Sequence, residues 1–204
     1  MLDADGKPVA GAAGVWLGAV SIVPEDAAPN VPPVDASIEE CIERRSEVSV
    51  DLIKYVKWRR VVVGQELSKV IGLIFILKVP CFEHPQRLQF IFDGVKGGEN
   101  FKCGGDGASL ELTSSPLLES DLGEYGNEEI LDISANEPFY ECIGRKLAGL
   151  HLIFSSVEDA NIGVRFNFEG GEGFCVVNWG DEINIMKCLP DAFEKNEGIK
   201  YKVI

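Results

Sequence analysis

Two stretches of this chain repeat one another in the same order. Val63-Gly64-Gln65-Glu66-Leu67 matches Ile143-Gly144-Arg145-Lys146-Leu147, and an apolar run follows each, Val70 to Leu77 in the first and Leu150 to Phe154 in the second. Alternating segments come next, each ending at a turn dipeptide: Leu88, Phe90 and Phe92 before Asp93-Gly94, then Val164, Phe166 and Phe168 before Glu169-Gly170. A third match sets Phe101 to Cys103, Gly105-Asp106 and Leu110 to Leu112 against Phe174 to Val177, Gly180-Asp181 and Ile183 to Ile185. The period of roughly 75 to 80 residues is longer than that of a solenoid, so it marks one duplicated unit and not an array. Strand alternation looks alike in any β protein, but the shared G-x-x-L element is not part of it and points to duplication.

Each copy reads as an antiparallel meander of three or four strands. A sheet with one apolar face has to bury that face, and the other copy is the nearest partner. The expected fold is therefore mainly β, α+β with a minor helix: a duplicated antiparallel β-meander forming a pseudo-twofold sandwich or open barrel, with copies at about 61–115 and 140–188. With 46% hydrophobic and 25% charged residues, the chain has enough apolar surface to offset its ordering entropy. Pro24, Pro29, Pro32 and Pro33 make an extended linker, because proline fixes φ and withholds a donor. Residues 1–36 then form an extended appendage and linker, and 37–204 a single β-rich domain. Ser37 and Glu40 are spaced as a capping box for a short helix over Ile38 to Arg45, and Val48, Val50 and Leu52 alternate as a strand would. Lys187 to Lys200 reads as a polar closing segment.

The balance of 33 acidic to 19 basic residues gives a net charge of -14. Phosphate recognition needs Lys and Arg, so this charge argues against nucleic acid and anionic membranes as partners and favours a basic protein. Six cysteines are widely spaced with no CxxC pair, as expected of reduced thiols. Asp3, Asp5 and Lys7 precede any apolar run, which fits a secretory signal poorly, and Val9 to Val23 is too short to span a bilayer. The expectation is a cytoplasmic protein, a monomer or a weak homodimer.

Few constellations in the sequence carry the residue types that chemistry needs. In Asn178-Trp179-Gly180-Asp181-Glu182, the two carboxylates beside Trp179 could act as acid and base or bind a hard cation. Adjacent residues of a strand point to opposite faces, however, and a glycine followed by Asp between two β runs is turn chemistry first. The equivalent Gly104-Gly105-Asp106-Gly107 lacks the GK[ST] of a phosphate loop and reads as the matching hairpin end. His84 lies in a loop bounded by Pro80 and Pro85, His151 lies in an apolar run, and neither belongs to a catalytic motif. No cofactor or metal is expected. Lys54 to Arg60 interleaves basic residues with Tyr55 and Trp58, a pattern that could stack single-stranded nucleic acid but reads more simply as internal neutralisation of acidic charge.

Between the copies, Pro116 to Glu141 carries eight acidic residues and no Lys or Arg, punctuated by apolar residues that imply a packed loop and strand. The G-x-x-L opening, the F-x-F strand ending at a glycine turn and the closing V-V-N-W-G-D-E-I, within Phe139 to Ile185, resemble small bacterial domains grouped with the immunity proteins of polymorphic toxin systems. Gly105-Asp106-Gly107 and Asp121-Leu122-Gly123-Glu124-Tyr125-Gly126 resemble the same group, and the likeness spans roughly Val61 to Lys187. The resemblance implies a non-enzymatic protein that binds a cognate toxin and blocks its active surface. Glu119, Asp121, Glu124, Tyr125, Glu128 and Glu129 are the candidate partner-binding residues, because an acidic strip steers a basic partner while aromatic residues supply buried contact. The alternative is a small-molecule-binding or hydrolytic β scaffold using Asp106, Trp179, Asp181 and Glu182, which requires the carboxylates to converge in a pocket.

Overall fold

The computed structural model describes residues 52–204, which form eleven strands, two α-helices and short 3-10 turns. The appendage and linker over 1–36, the helix expected at Ile38 to Arg45 and all but the end of the strand expected from Val48 lie outside the described residues. Leu52 belongs to helix α1, which runs over 52–62 where the sequence suggested the close of a strand and a basic cluster. The helix has a clear cause: Tyr55, Trp58 and Val62 fall at i, i+3 and i+7, one stripe of a 3.6-residue period, and all three are buried.

Strands β1 (Leu67–Ile76), β2 (Arg87–Phe92), β3 (Asn100–Cys103) and β4 (Leu110–Thr113) form an antiparallel meander. The chain then makes β5 (Ser120–Asp121) and returns as β6 (Asn127–Asp132) along the free side of β1, giving the order β4-β3-β2-β1-β6-β5. The second half repeats the plan with β7 (Leu147–Ser155), β8 (Ala160–Phe168), β9 (Gly173–Asn178) and β10 (Ile183–Met186). After helix α2 (Asp191–Glu197), β11 (Lys200–Val203) returns along the free side of β7, in the order β10-β9-β8-β7-β11. Leaving β5 aside, the two sheets share one strand order. The equivalent strands extend past residues 115 and 188, because each copy has a fifth strand that its meander did not announce.

The G-x-x-L elements cross at the pseudo-twofold axis. Gly64 N donates to Leu147 O and Gly144 N to Leu67 O, both at 2.8 Å, while Leu67 N donates to Arg145 O at 3.0 Å and Leu147 N to Gln65 O at 2.9 Å. The two segments meet in an isolated antiparallel β-bridge of the backbone at Glu66 and Lys146. Gly64 and Gly144 adopt φ of 87° and 75°, a left-handed conformation that glycine tolerates without Cβ strain, which explains why glycine stands at this place in both copies.

The sheets face each other across an aromatic core. Phe90 of β2 and Phe166 of β8, equivalent residues, meet with ring centroids 4.7 Å apart, and Phe174 lies 4.7 Å from Phe166. Strand pairing within each sheet stops at free edges and does not run on around the molecule, so the fold is a sandwich and not a closed barrel. The second sheet is apolar on both faces. Ile153, Ile162, Cys175, Val177 and Leu189 form a separate cluster against which Phe193 of α2 packs, so β9 is buried almost throughout. Cys103 and Cys175 lie in equivalent strands but not at equivalent positions. Phe101 pairs with Leu88 as Val176 pairs with Val164, so register places Cys175 opposite in sense to Cys103, on the outer face of its sheet.

Candidate functional site

The acidic strip folds as the β5–β6 hairpin at one edge of the six-stranded sheet, with a 3-10 turn over Gly123–Tyr125 at its tip. Several of its carboxylates hold the hairpin itself. Glu119 Oε1 accepts from Ile130 N at 3.1 Å, Asp121 Oδ1 accepts from Gly123 N at 2.9 Å, and Glu129 Oε1 accepts from Asn127 Nδ2. Asp132 pairs with Lys69 at 3.3 Å and Glu141 with Lys187 at 2.7 Å. Glu124 and Glu128 form no ion pair among the described residues, and Tyr125 stands exposed between them. Of the six residues proposed for partner binding, Glu124, Tyr125 and Glu128 are therefore available to an incoming surface, whereas Glu119, Asp121 and Glu129 shape the hairpin that presents them.

The 179–182 hairpin is a two-residue turn. Trp179 N donates to Glu182 O at 3.0 Å, and Gly180 and Asp181 both have positive φ, 68° and 63°, the combination that matches the twist of the strands it joins. Trp179 packs on Phe193 with centroids 4.4 Å apart. The equivalent turn in the first copy is organised from within: Asp106 Oδ1 accepts from Ser109 N at 2.8 Å, Ala108 N at 3.0 Å and Ser109 Oγ at 3.0 Å. Burial opposes ionisation of Asp106, but these donors outweigh it and hold the carboxyl below its ordinary range. The two turns lie side by side, tied by Asn178 Nδ2 donating to Ser109 O at 2.9 Å.

Asp181 and Glu182 both line an open cleft of about 540 Å³, together with His84, Lys102, Cys103 and Glu128. Asp106 and Trp179 do not line it. Adjacency in a strand would have separated Asp181 from Glu182; placing Asp181 in the turn removes that constraint. The cationic side chains here are already engaged. Arg87 donates through Nε to Asn100 Oδ1 at 2.8 Å and through its terminal nitrogens to Pro116 O and Ser115 O, both at 3.0 Å, and Lys102 pairs with Glu111 at 2.7 Å. His84 Nδ1 lies 3.4 Å from Glu182 Oε2 without hydrogen-bond geometry.

Burial, and then the Asp181 and Glu182 carboxylates, push the Cys103 thiol up to about 11, against a smaller opposing pull from Lys102. At pH 8 only about one in a thousand Cys103 side chains is then thiolate. Peptide mapping after iodoacetamide at pH 8 is expected to find the exposed Cys188 modified well before Cys103. An Asp181→Asn, Glu182→Gln variant should modify faster at Cys103, and an unchanged rate would show that the carboxylates do not govern the thiol.

The basic cluster of the sequence does not form a stacking platform, because Tyr55 and Trp58 are 2% and 4% exposed and face the core. Among the described residues, no cluster of three or more His, Cys, Asp and Glu side chains is arranged to hold a metal, and no helix is long and apolar enough to cross a membrane. The loop that the sequence bounds by Pro80 and Pro85 is part of a longer 77–86 connection, and the outward projection of Leu77 and Val79 in it was not foreseen. The length of the connection, set against the short turn at 156–159 in the second copy, was the available signal. No family model matches the chain, and no curated protein or solved structure matches it.

Proposed function

We propose that this chain is a protein-binding module that captures a basic partner through the β5–β6 hairpin, in the manner of a cytoplasmic immunity protein that neutralises a toxin as a monomer or weak homodimer. The observation that carries this reading is the hairpin itself, which presents Glu124, Tyr125 and Glu128 at a sheet edge in a segment without Lys or Arg from 116 to 141. Carboxylates there raise the encounter rate with a basic surface, and the exposed tyrosine supplies contact area once water is displaced. The alternative, a small-molecule or hydrolytic site on Asp106, Asp181 and Glu182, has less support, because Asp106 is committed to its own turn and the nearby thiol is held protonated.

The test is a pull-down from the native cell on the full-length protein, followed by titration calorimetry with the recovered partner at low and at moderate salt. Binding should weaken as salt rises, and Glu124→Lys with Glu128→Lys should lower affinity by roughly tenfold or more. These two positions are chosen because neither holds the hairpin together. Affinity that ignores both salt and charge reversal would overturn the reading.

A further inference from the structure

The two halves of the sandwich share a strand order and part company in two connections. The first is the β1–β2 loop over 77–86, against the short 156–159 turn in the second half. The second is the passage from the fourth to the returning strand, made through β5 and the 3-10 turn in the first half and through α2 in the second. Both departures meet at one end of the first sheet. Ile76 pairs with Asn127 on one side and with Pro80 on the other, so Leu77 to Val79 is the tip of a tight reversal beside the hairpin turn. Gly126 is pressed against that tip: its φ is 101°, and a methyl group there would collide with the Ile76 carbonyl and crowd Leu77 Cα. Leu122 N donates to Gly126 O at 2.9 Å, closing the hairpin turn on the same spot.

The joined tips expose large apolar side chains: Leu77 at 55%, Val79 at 74%, Leu122 at 40% and Tyr125 at 71%. Asp121 and Glu124 stand in the same hairpin turn as Leu122 and Tyr125, Glu128 follows the turn in β6, and Lys78 is the basic residue at the loop tip. Contiguous exposed apolar surface with a polar rim marks an interaction site. We infer that the two elaborations form one docking surface, with Leu77, Val79 and Tyr125 seating an apolar side chain of a basic protein segment whose flanking Lys or Arg residues meet Glu124 and Glu128. The rim selects the occupant. A second copy of this chain, at net charge -14, would bring the same carboxylates onto themselves in a symmetric contact, whereas a basic segment neutralises them. The inference rests on the proposal of a basic protein partner and adds an apolar anchor to it.

The experiment selects a phage-displayed library of random linear peptides on the full-length protein, then measures the recovered sequences as fluorescein-labelled peptides by anisotropy. The expected result is peptides with an aromatic or aliphatic residue between basic ones, whose affinity falls about tenfold with Val79→Ser and again with Tyr125→Ala. Both positions are exposed, so the variants should keep the wild-type melting temperature. Basic peptides without an apolar residue, weakened by Glu124→Lys and Glu128→Lys but indifferent to Val79→Ser and Tyr125→Ala, would overturn the anchor and leave the acidic hairpin as the binding element. Recovery of no basic peptides would overturn both.

Discussion

Replacing Phe166 by alanine is expected to cost about 3 to 5 kcal/mol of folding stability, among the largest effects of any single truncation in the core. The ring is fully buried in β8 and lies within 6.0 Å of Trp58, Phe90, Phe101 and Phe174, measured between ring centroids. These neighbours belong to α1, to the adjacent strands β2 and β3 of the first sheet and to the adjoining strand β9 of the second, so no single segment can move in to fill the space. The loss combines the transfer of the ring with an unfilled cavity. A domain of this kind has about 5 to 15 kcal/mol in total, so the variant should sit near its unfolding threshold. Urea denaturation followed by far-ultraviolet circular dichroism measures it: the midpoint should fall sharply with little change in slope. Phe166→Leu, which keeps most of the volume, should lose less. A loss below about 1 kcal/mol for the alanine variant would mean that the sheets close over the gap, contrary to a tightly interlocked core.

Trp58→Ala is the second expected large loss, also about 3 to 5 kcal/mol, with a different signature. Trp58 makes edge contacts with Phe92, Phe101 and Phe166 at 6.2, 5.3 and 6.0 Å, and it anchors α1 to both sheets. Tyr55 supplies a second anchor through its hydroxyl, which donates to Leu110 O at 2.7 Å. About three turns of isolated helix, as over 52–62, have little stability of their own in water and depend on such packing. Losing the indole should therefore free the helix before the sandwich unfolds, and limited trypsin digestion should cut sooner at Lys57, Arg59 or Arg60 than in the wild type. Phe at position 58 should restore most of the protection. Equal rates of cutting in wild type and Trp58→Ala would show that α1 is held mainly by Tyr55 and Val62.

The candidate surface was half legible. The charge of the segment from Pro116 to Glu141 is a property of composition, and it singled out the β5–β6 hairpin without knowledge of the fold. Which carboxylates remain available was not legible, because Glu119, Asp121 and Glu129 are occupied by backbone or side-chain donors that only the folded hairpin brings near. The helix at 52–62 was concealed by its lysines and arginines, although the spacing of Tyr55, Trp58 and Val62 carried the signal. Strand β11 was hidden for the opposite reason. Lys-Tyr-Lys-Val has no sustained apolar face, and it is a strand because β7 offers it a free edge.

Sequence alone determined the duplicated β plan, since alternation in Leu88-Phe90-Phe92 and in Val164-Phe166-Phe168 is a local pattern that fixes which side chains share a face. The G-x-x-L match was legible as a mark of duplication, but its place at the crossing, with glycine at positive φ at 64 and 144, was decided by the tertiary structure. Tertiary structure decided the fifth strand of each sheet, the placing of Asp181 and Glu182 in one cleft, and the exposure of Leu77 and Val79 at the end of an otherwise buried run. The division has a physical cause: periodicity depends on neighbours along the chain, whereas edges, clefts and exposed tips depend on what distant segments leave uncovered.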